Sequence, residues 1–68
     1  MKPQHISILV AIAEHGSLRA AAKHLNKSQP ALTQSLRQVE DELGVTLFSR
    51  TSRGVELTEI GERVLVRA

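Results

Sequence analysis

The sequence predicts an all-α fold with a small β-hairpin. Apolar residues recur at the spacing of amphipathic helices over most of the 68-residue chain. Two short β-prone runs interrupt this pattern at residues 45–48 and 55–57, and the basic, glycine-containing stretch 49–54 between them is typical of a hairpin tip. A chain of this length forms one small domain, so all of these elements must share one hydrophobic core.

The first helix is predicted over residues 4–14. Four of its residues follow the i, i+3, i+4, i+7 spacing of one apolar face: Ile6, Leu9, Val10 and Ala13. Pro3 suits the first turn, because an N–H group there has no intrahelical partner. Gly16 is suited to the C-terminal cap, where the backbone turns left-handed.

A second, short helix is predicted over residues 18–25, with Ser17 as its N-cap. Alanines at residues 20–22 give this helix small side chains in its middle, which allow another helix to approach closely. Asn26 and Lys27 form a brief turn, since asparagine tolerates the left-handed backbone that a tight connection needs.

A third helix follows, capped by Ser28, with Pro30 in its first turn and Gly44 at its end. Its predicted buried stripe consists of Leu32, Leu36, Val39 and Leu43. About a third of a turn away, the predicted exposed face contains Gln29, Pro30, Thr33, Gln34 and Arg37.

The last helix is predicted to begin after Thr58, a favourable N-cap, with Glu59 and Glu62 near its positive end. Its apolar stripe consists of Ile60, Val64, Leu65 and Ala68. The pattern stops without a C-cap, so we expect the chain to be part of a longer one. Gly61 lies inside this helix at a cost of about 1 kcal/mol relative to alanine, and we hypothesise that close packing against a neighbour explains it.

A short helix, a tight turn and a longer helix predict a helix-turn-helix, and the basic hairpin that follows predicts a winged one. In such a fold the exposed face of the third helix can read the major groove of DNA. Glutamine amides pair with adenine edges, and a threonine methyl group packs on a thymine methyl group. An ordinary polar helix surface is the competing interpretation.

Positive charge is segregated along the chain, although the net charge is only +2. Between residues 17 and 38 all charged residues are basic, namely Arg19, Lys23, Lys27 and Arg37. Arg50 and Arg53 form a second cluster without acids, whereas acids occupy residues 40–42 and recur between 56 and 62. The separation favours one basic face and one acidic face over a chance distribution.

Several classes of function are disfavoured. The chain has no cysteine, which excludes disulfides, thiolate catalysis and cysteine-based zinc sites and fits a reducing cytoplasm. His5, His15 and His24 are spaced too widely for a metal-ligand pattern. Phe48 is the one aromatic residue and is expected in the core with Leu47, so no stacking platform for single strands is available. No apolar run approaches the roughly 20 residues that span a bilayer.

Groups that could suggest an enzyme have simpler explanations. The acids at residues 40–42 are consecutive on a helix and point in different directions, so we expect a solvated face. Ser17, Ser28 and Thr58 each occupy an N-cap position and have no candidate base. An enzyme is therefore the least favoured function.

The run AAKHLNKSQPALT at residues 21–33 resembles the N-terminal domain of LysR-type bacterial transcriptional regulators. The resemblance includes AEHGS at residues 13–17, LGVTLFSR at 43–50 and LTEIG at 57–61. It covers essentially the whole chain in register and without insertion.

This resemblance implies that residues 1–57 form a winged helix-turn-helix DNA-binding domain with a three-helix core, and that residues 58–68 begin a linker helix that joins a homodimer. The residues expected to face bases are Gln29, Pro30, Thr33 and Gln34. The wing-tip residue Arg53 is expected in the minor groove. The residues that the resemblance places at phosphates are Ser17, Arg19, Arg37 and Arg50. Lys27 is added to this set because its charge can approach a phosphate from the turn, although the same residue could instead loosen the packing of the turn. The implied dimer seam consists of Ile60, Val64 and Ala68.

The resemblance also implies a ligand and a binding geometry. Two recognition helices, about one helical turn apart, would bind an interrupted inverted repeat in duplex DNA that starts with T and ends with A. No cofactor or metal is implied in this segment, whereas a small-molecule effector would bind a domain that follows it. Two positions depart from the family pattern: Lys27 occupies a turn position that is usually apolar, and Gln34 stands where arginine is common.

A second class of function stays open, namely a small helical module that pairs with protein through Ile60, Val64 and Ala68. The two functions differ in their response to salt. DNA binding weakens steeply as ionic strength rises, whereas apolar helix pairing does not. They can coexist, since the same stripe is the implied dimer seam.

Overall fold

In the computed structural model, which describes residues 2–67, three helices are followed by a two-stranded hairpin and a last helix. The elements are α1 (Pro3–His15), α2 (Leu18–His24), α3 (Gln29–Leu43), β1 (Phe48–Thr51), β2 (Gly54–Leu57) and α4 (Glu59–Arg67). The strands are antiparallel, with Phe48 opposite Leu57 and Thr51 opposite Gly54. The predicted all-α fold with a small hairpin is confirmed.

The core lies where α1, α2 and α3 pack against one another and against the base of the hairpin. Its fully buried large side chains are Leu9, Ile12, Leu32, Val39 and Leu47. Ala21 is also fully buried, because a methyl group lets α2 lie close to its neighbours. The helix α4 contacts both α1 and β2, so it belongs to the same unit.

The predicted caps and turns are confirmed. The hydroxyl oxygens of Ser17, Ser28 and Thr58 each accept a hydrogen bond from the backbone N–H three residues later, at 3.2, 3.2 and 3.0 Å. Asn26 adopts the left-handed φ of 58° that the turn between α2 and α3 requires. The helix ends therefore follow from local chemistry.

The buried face of α1 differs from the prediction. The buried residues are His5, Ile8, Leu9, Ala11 and Ile12, whereas the predicted face contained Val10, which is 38% exposed, and the half-buried Ile6 and Ala13. Apolar residues fill every position from 8 to 13, so helical spacing is satisfied on more than one face. Packing against α2 and α3 determines which face of α1 is buried, and the buried face includes His5.

The end of α3 and the start of the hairpin also differ from the prediction. Leu43 is 40% exposed, because it occupies the last turn of α3, where the chain leaves the helix. The first strand begins at Phe48 and not at residue 45, and the turn shrinks to residues 52 and 53. Where this strand begins, Glu40 Oε2 accepts hydrogen bonds from the N–H groups of Leu47 at 2.6 Å and Phe48 at 3.4 Å, so the backbone at residue 47 is bound to α3.

Glu40 is therefore a structural hydrogen-bond acceptor, and the expectation that residues 40–42 are all solvated is wrong at this position. Replacement by alanine leaves the Leu47 N–H without its partner. We expect Glu40→Ala to lower the free energy of unfolding by about 2 kcal/mol, the range for hydrogen bonds to charged groups. Chemical denaturation measures this, with the exposed neighbour Glu42→Ala as the control, expected within about 0.5 kcal/mol of the parent. Equal effects of the two substitutions would contradict the assignment.

The stripe of α3 provides a second test of the packing. Leu36 is 7% exposed and Leu43 is 40% exposed, although both belong to the predicted stripe. We expect Leu36→Ala to cost about 2–5 kcal/mol of stability, because it opens a cavity in the core. Leu43→Ala should cost about 1 kcal/mol or less, since much of the side chain is already in water. Thermal melts of both variants would show the contrast, and equal melting temperatures would mean that α3 is rotated from this orientation.

Candidate nucleic-acid interface

The polar face of α3 forms a shallow concavity of about 440 Å³. It is lined by Gln29, Pro30, Thr33, Gln34 and Arg37. These residues occupy the first turns of the helix at i, i+1, i+4, i+5 and i+8, so they share one side. The structure thus brings together all four residues predicted to face bases.

A second concavity of about 230 Å³ lies where the start of α2, the start of α3 and the hairpin meet. Its lining includes Ser17, Arg19, Gln29 and Arg50. Three residues predicted to bind phosphate, which are far apart in sequence, are therefore adjacent to the first residue of the base-facing set. The Ser17 hydroxyl also caps α2.

The two concavities join into one surface. Gln29 lines both of them, and Arg37 lines the first together with a third of about 160 Å³ that also contains Arg50. We call this the α3–wing surface, and it consists of Ser17, Arg19, Gln29, Pro30, Thr33, Gln34, Arg37 and Arg50. It combines the polar side chains of α3 with the arginines Arg19, Arg37 and Arg50.

The hairpin is held against this surface by a backbone contact. The N–H of Val55 donates to the carbonyl oxygen of Gly16 at 3.0 Å. Gly54 has a φ of 128°, and a Cβ atom there would collide with the same Gly16 oxygen. At the base of the hairpin Leu47 and Phe48 are buried, as predicted. The wing therefore has a fixed position relative to α2.

Arg53 and Lys27 lie outside the concavities that form the α3–wing surface. Arg53 is exposed in the two-residue turn of the hairpin, where its N–H donates to Thr51 Oγ1 at 3.1 Å. Lys27 is exposed in the turn between α2 and α3, and its N–H donates to the Ala22 oxygen at 2.8 Å. Their roles at the minor groove and at a phosphate stay predictions.

The basic side chains of this region are free of carboxylate partners within the described residues. Among the side chains that the structure describes, those of residues 2–65, the one ion pair joins Arg63 to Glu59 at 3.1 Å, and both are largely exposed. Glu40 borders Arg37 and Arg50, but one of its oxygens is engaged by backbone N–H groups. Positive charge on this face is thus available to an anionic ligand.

Several functional contacts could not be found by sequence reasoning. Thr51 and Gly54 line the second concavity, but their role depends on a contact with a loop more than thirty residues away. His15 and His24, which are nine residues apart in sequence, lie at adjacent helix ends with ring centroids 4.8 Å apart.

Within residues 2–67 no three histidine, aspartate or glutamate side chains converge as metal ligands would. No helix in this part of the chain has the length and apolar character needed to cross a membrane.

The predicted dimer seam is divided by the fold. Ile60 is 45% exposed, whereas Val64 and Leu65 are half-buried against the core of the same chain. Ala68, the third predicted seam residue, lies outside the described residues. The apolar residues of α4 thus face two ways: residues 64 and 65 pack against the core of the same chain, and residue 60 faces outward.

Three helices, a hairpin anchored beside the second, and a polar face on the third define a winged helix-turn-helix domain. Residues 3–62 match the family model described as "Bacterial regulatory helix-turn-helix protein, lysR family", and the chain belongs to this family. It is 47% identical over 62 residues to the HTH-type transcriptional regulator AlsR of Bacillus subtilis, covering 91% of this chain and 20% of AlsR.

Solved structures agree with this assignment. The CbnR DBD–DNA complex superposes with a TM-score of 0.91 at 40% identity, covering 98% of this chain and 77% of that one. The BenM DBD bound to benA site 1 DNA gives a TM-score of 0.92 at 34% identity, covering 98% and 75%. The chain spans about a fifth of the length of the curated relatives that it matches.

Proposed function

We propose that this chain binds duplex DNA sequence-specifically as the DNA-binding part of a bacterial transcriptional regulator. One observation carries the proposal: the four side chains suited to base edges share one face of α3, and unpaired arginines border that face. In this arrangement α3 enters the major groove, where Gln29 and Gln34 offer amides to base edges and Thr33 offers a methyl group. CbnR and BenM DBD structures in complex with DNA, at 40% and 34% identity, support it.

Phosphate contacts orient the domain in this proposal. Ser17, Arg19 and Arg50 reach one strand beside the start of α3, and Arg37 reaches phosphate further along the helix. Such contacts supply much of the affinity without reading sequence, and they release counterions. Lys27 adds a further phosphate contact from the turn. The action is binding and not catalysis, and it takes place in the cytoplasm without a cofactor in this segment.

The ligand is an interrupted inverted repeat bound by a homodimer. The domain measures 27 × 25 × 18 Å along its principal axes, so two copies centred about 34 Å apart, one helical turn of DNA, fit side by side on one face of the duplex. The exposed Ile60 on α4 supplies apolar surface for the pairing. An effector that regulates binding would act through a domain that follows this chain in a longer protein.

The deciding experiment is a fluorescence-anisotropy titration against random duplexes at several salt concentrations, followed by selection of bound sequences. We expect a steep loss of affinity with salt and the enrichment of an inverted repeat. Absence of binding at low salt would contradict DNA binding by this chain. Concentration-dependent self-association that ignores salt would then favour the protein-pairing module.

Gln29 tests base reading, because it is the first residue of α3 and borders both concavities. On the selected site Gln29→Ala should cost about 1–3 kcal/mol of binding free energy, while binding to random duplex should change little. Gln38→Ala is the matched control, since Gln38 is an exposed glutamine of the same helix outside the α3–wing surface. Equal losses on selected and random DNA would contradict base reading by Gln29.

Arg53 tests the wing. Narrow A·T-rich minor grooves attract guanidinium groups, so Arg53→Ala should weaken binding most on sites whose wing-facing flank is A·T-rich. Arg53→Lys keeps the charge and removes the planar guanidinium group, and it should retain most of the salt-dependent affinity but less of the flank preference. Titration of site pairs that differ only in this flank measures the effect. A variant with the parental flank preference would contradict insertion of Arg53.

A further inference from the structure

The first turn of α4 is tied to the segment that precedes the wing. The N–H of Thr58 donates to the Leu47 oxygen at 2.9 Å. The Thr58 hydroxyl donates its hydrogen to the Thr46 oxygen at 2.6 Å, and the Leu47 oxygen lies within reach of the same hydrogen at 3.2 Å. The same hydroxyl accepts the N–H of Gly61 at 3.0 Å. The Thr58 side chain therefore connects the first turn of α4 to the backbone at residues 46 and 47.

Gly61 forms the second part of this attachment. It is buried, and a Cβ atom there would collide with the Leu47 oxygen and lie 2.9 Å from Cδ2 of Leu57. The backbone of α4 thus rests directly on the backbone at residue 47, where a methyl group has no room. Close packing, as hypothesised from the sequence, explains this glycine.

These contacts fix how α4 is turned as well as where it begins. Gly61, Val64 and Leu65 lie at the i, i+3, i+4 positions of the inward side, and Ile60 points outward with 45% of its surface exposed. A helix of nine residues is about 13.5 Å long. A tilt of about 20° about Gly61 would move the last residue, about 9 Å further along the axis, by about 3 Å, which is close to the rise of about 3.4 Å per base pair.

We propose that Thr58 and Gly61 are positioning residues that fix the direction in which α4 leaves the domain and so determine which half-site spacing the dimer accepts. The inference rests on the proposed function, because spacing has meaning only for a DNA-bound dimer. Neither residue lines the concavities that form the α3–wing surface, so their effect reaches DNA through geometry and not through contact.

The test separates half-site affinity from spacing preference. Duplexes carry either one selected half-site or an inverted repeat with the selected spacer lengthened or shortened by one or two base pairs. The parent chain should prefer the selected spacer by about tenfold or more. Gly61→Ala and Thr58→Val should reduce this preference to about threefold or shift it to another spacer, with half-site affinity within about twofold of the parent.

Two controls keep the interpretation specific. Thr58→Ser retains the hydroxyl group, and Glu62→Ala changes an exposed residue of the same helix, so both should keep the parental preference. Parental spacing preference in Gly61→Ala and Thr58→Val, or equal affinity of the parent for all spacers, would overturn the proposal. The proposal would also be overturned if these two variants lost affinity for the half-site as much as for the inverted repeat, or if both melted below the assay temperature. A parent that does not bind the half-site at all would instead contradict the proposed function, and with it this inference.

Discussion

The backbone of Leu47 connects α3, the wing and the start of α4. Its N–H is bound by the carboxylate of Glu40 on α3 at 2.6 Å, and its oxygen accepts the N–H of Thr58 ahead of α4 at 2.9 Å. Its side chain is 1% exposed in the core, and the next residue, Phe48, begins the wing. A buried peptide group must satisfy both its donor and its acceptor. Here the two partners come from α3 and from the start of α4, on either side of the hairpin, so the base of the wing has a fixed position relative to α3.

The wing is fixed at a second point, where the Val55 N–H meets the Gly16 oxygen. Two attachments define the orientation of this short hairpin, which would be only marginally stable on its own. This matters for the interface, because Arg50 lies on β1 while Arg19 and Ser17 lie at the start of α2. Contacts from separate elements act on one phosphate strand only if the elements keep a constant distance. The two attachments at the base of the wing thus keep these side chains at a constant separation, which the proposed DNA binding requires.

Local chemistry determined what could be predicted from the sequence. Caps at Ser17, Ser28 and Thr58 and the left-handed turn at Asn26 depend on residues within one helical turn of each other, and the structure contains all of them. The polar face of α3 depends only on helical spacing over residues 29–37 and is also present. Features that depend on distant partners escaped prediction. Spacing alone could not choose among the apolar faces of α1, and nothing local distinguishes Glu40 from its neighbours Asp41 and Glu42. The proximity of His15 and His24 depends on how two helices cross.

The two halves of α3 have different tasks, and the boundary between them lies at Arg37. Residues before it present polar groups outward, whereas Glu40, one turn later, binds the backbone that starts the wing. Glu40 lines the same concavity as Arg37 and Arg50. Two backbone N–H groups bind its Oε2, and charge-assisted hydrogen bonds of this kind are among the stronger ones. The acid nearest the basic face therefore binds the backbone at the base of the wing, and within the described side chains it forms no ion pair with Arg37 or Arg50.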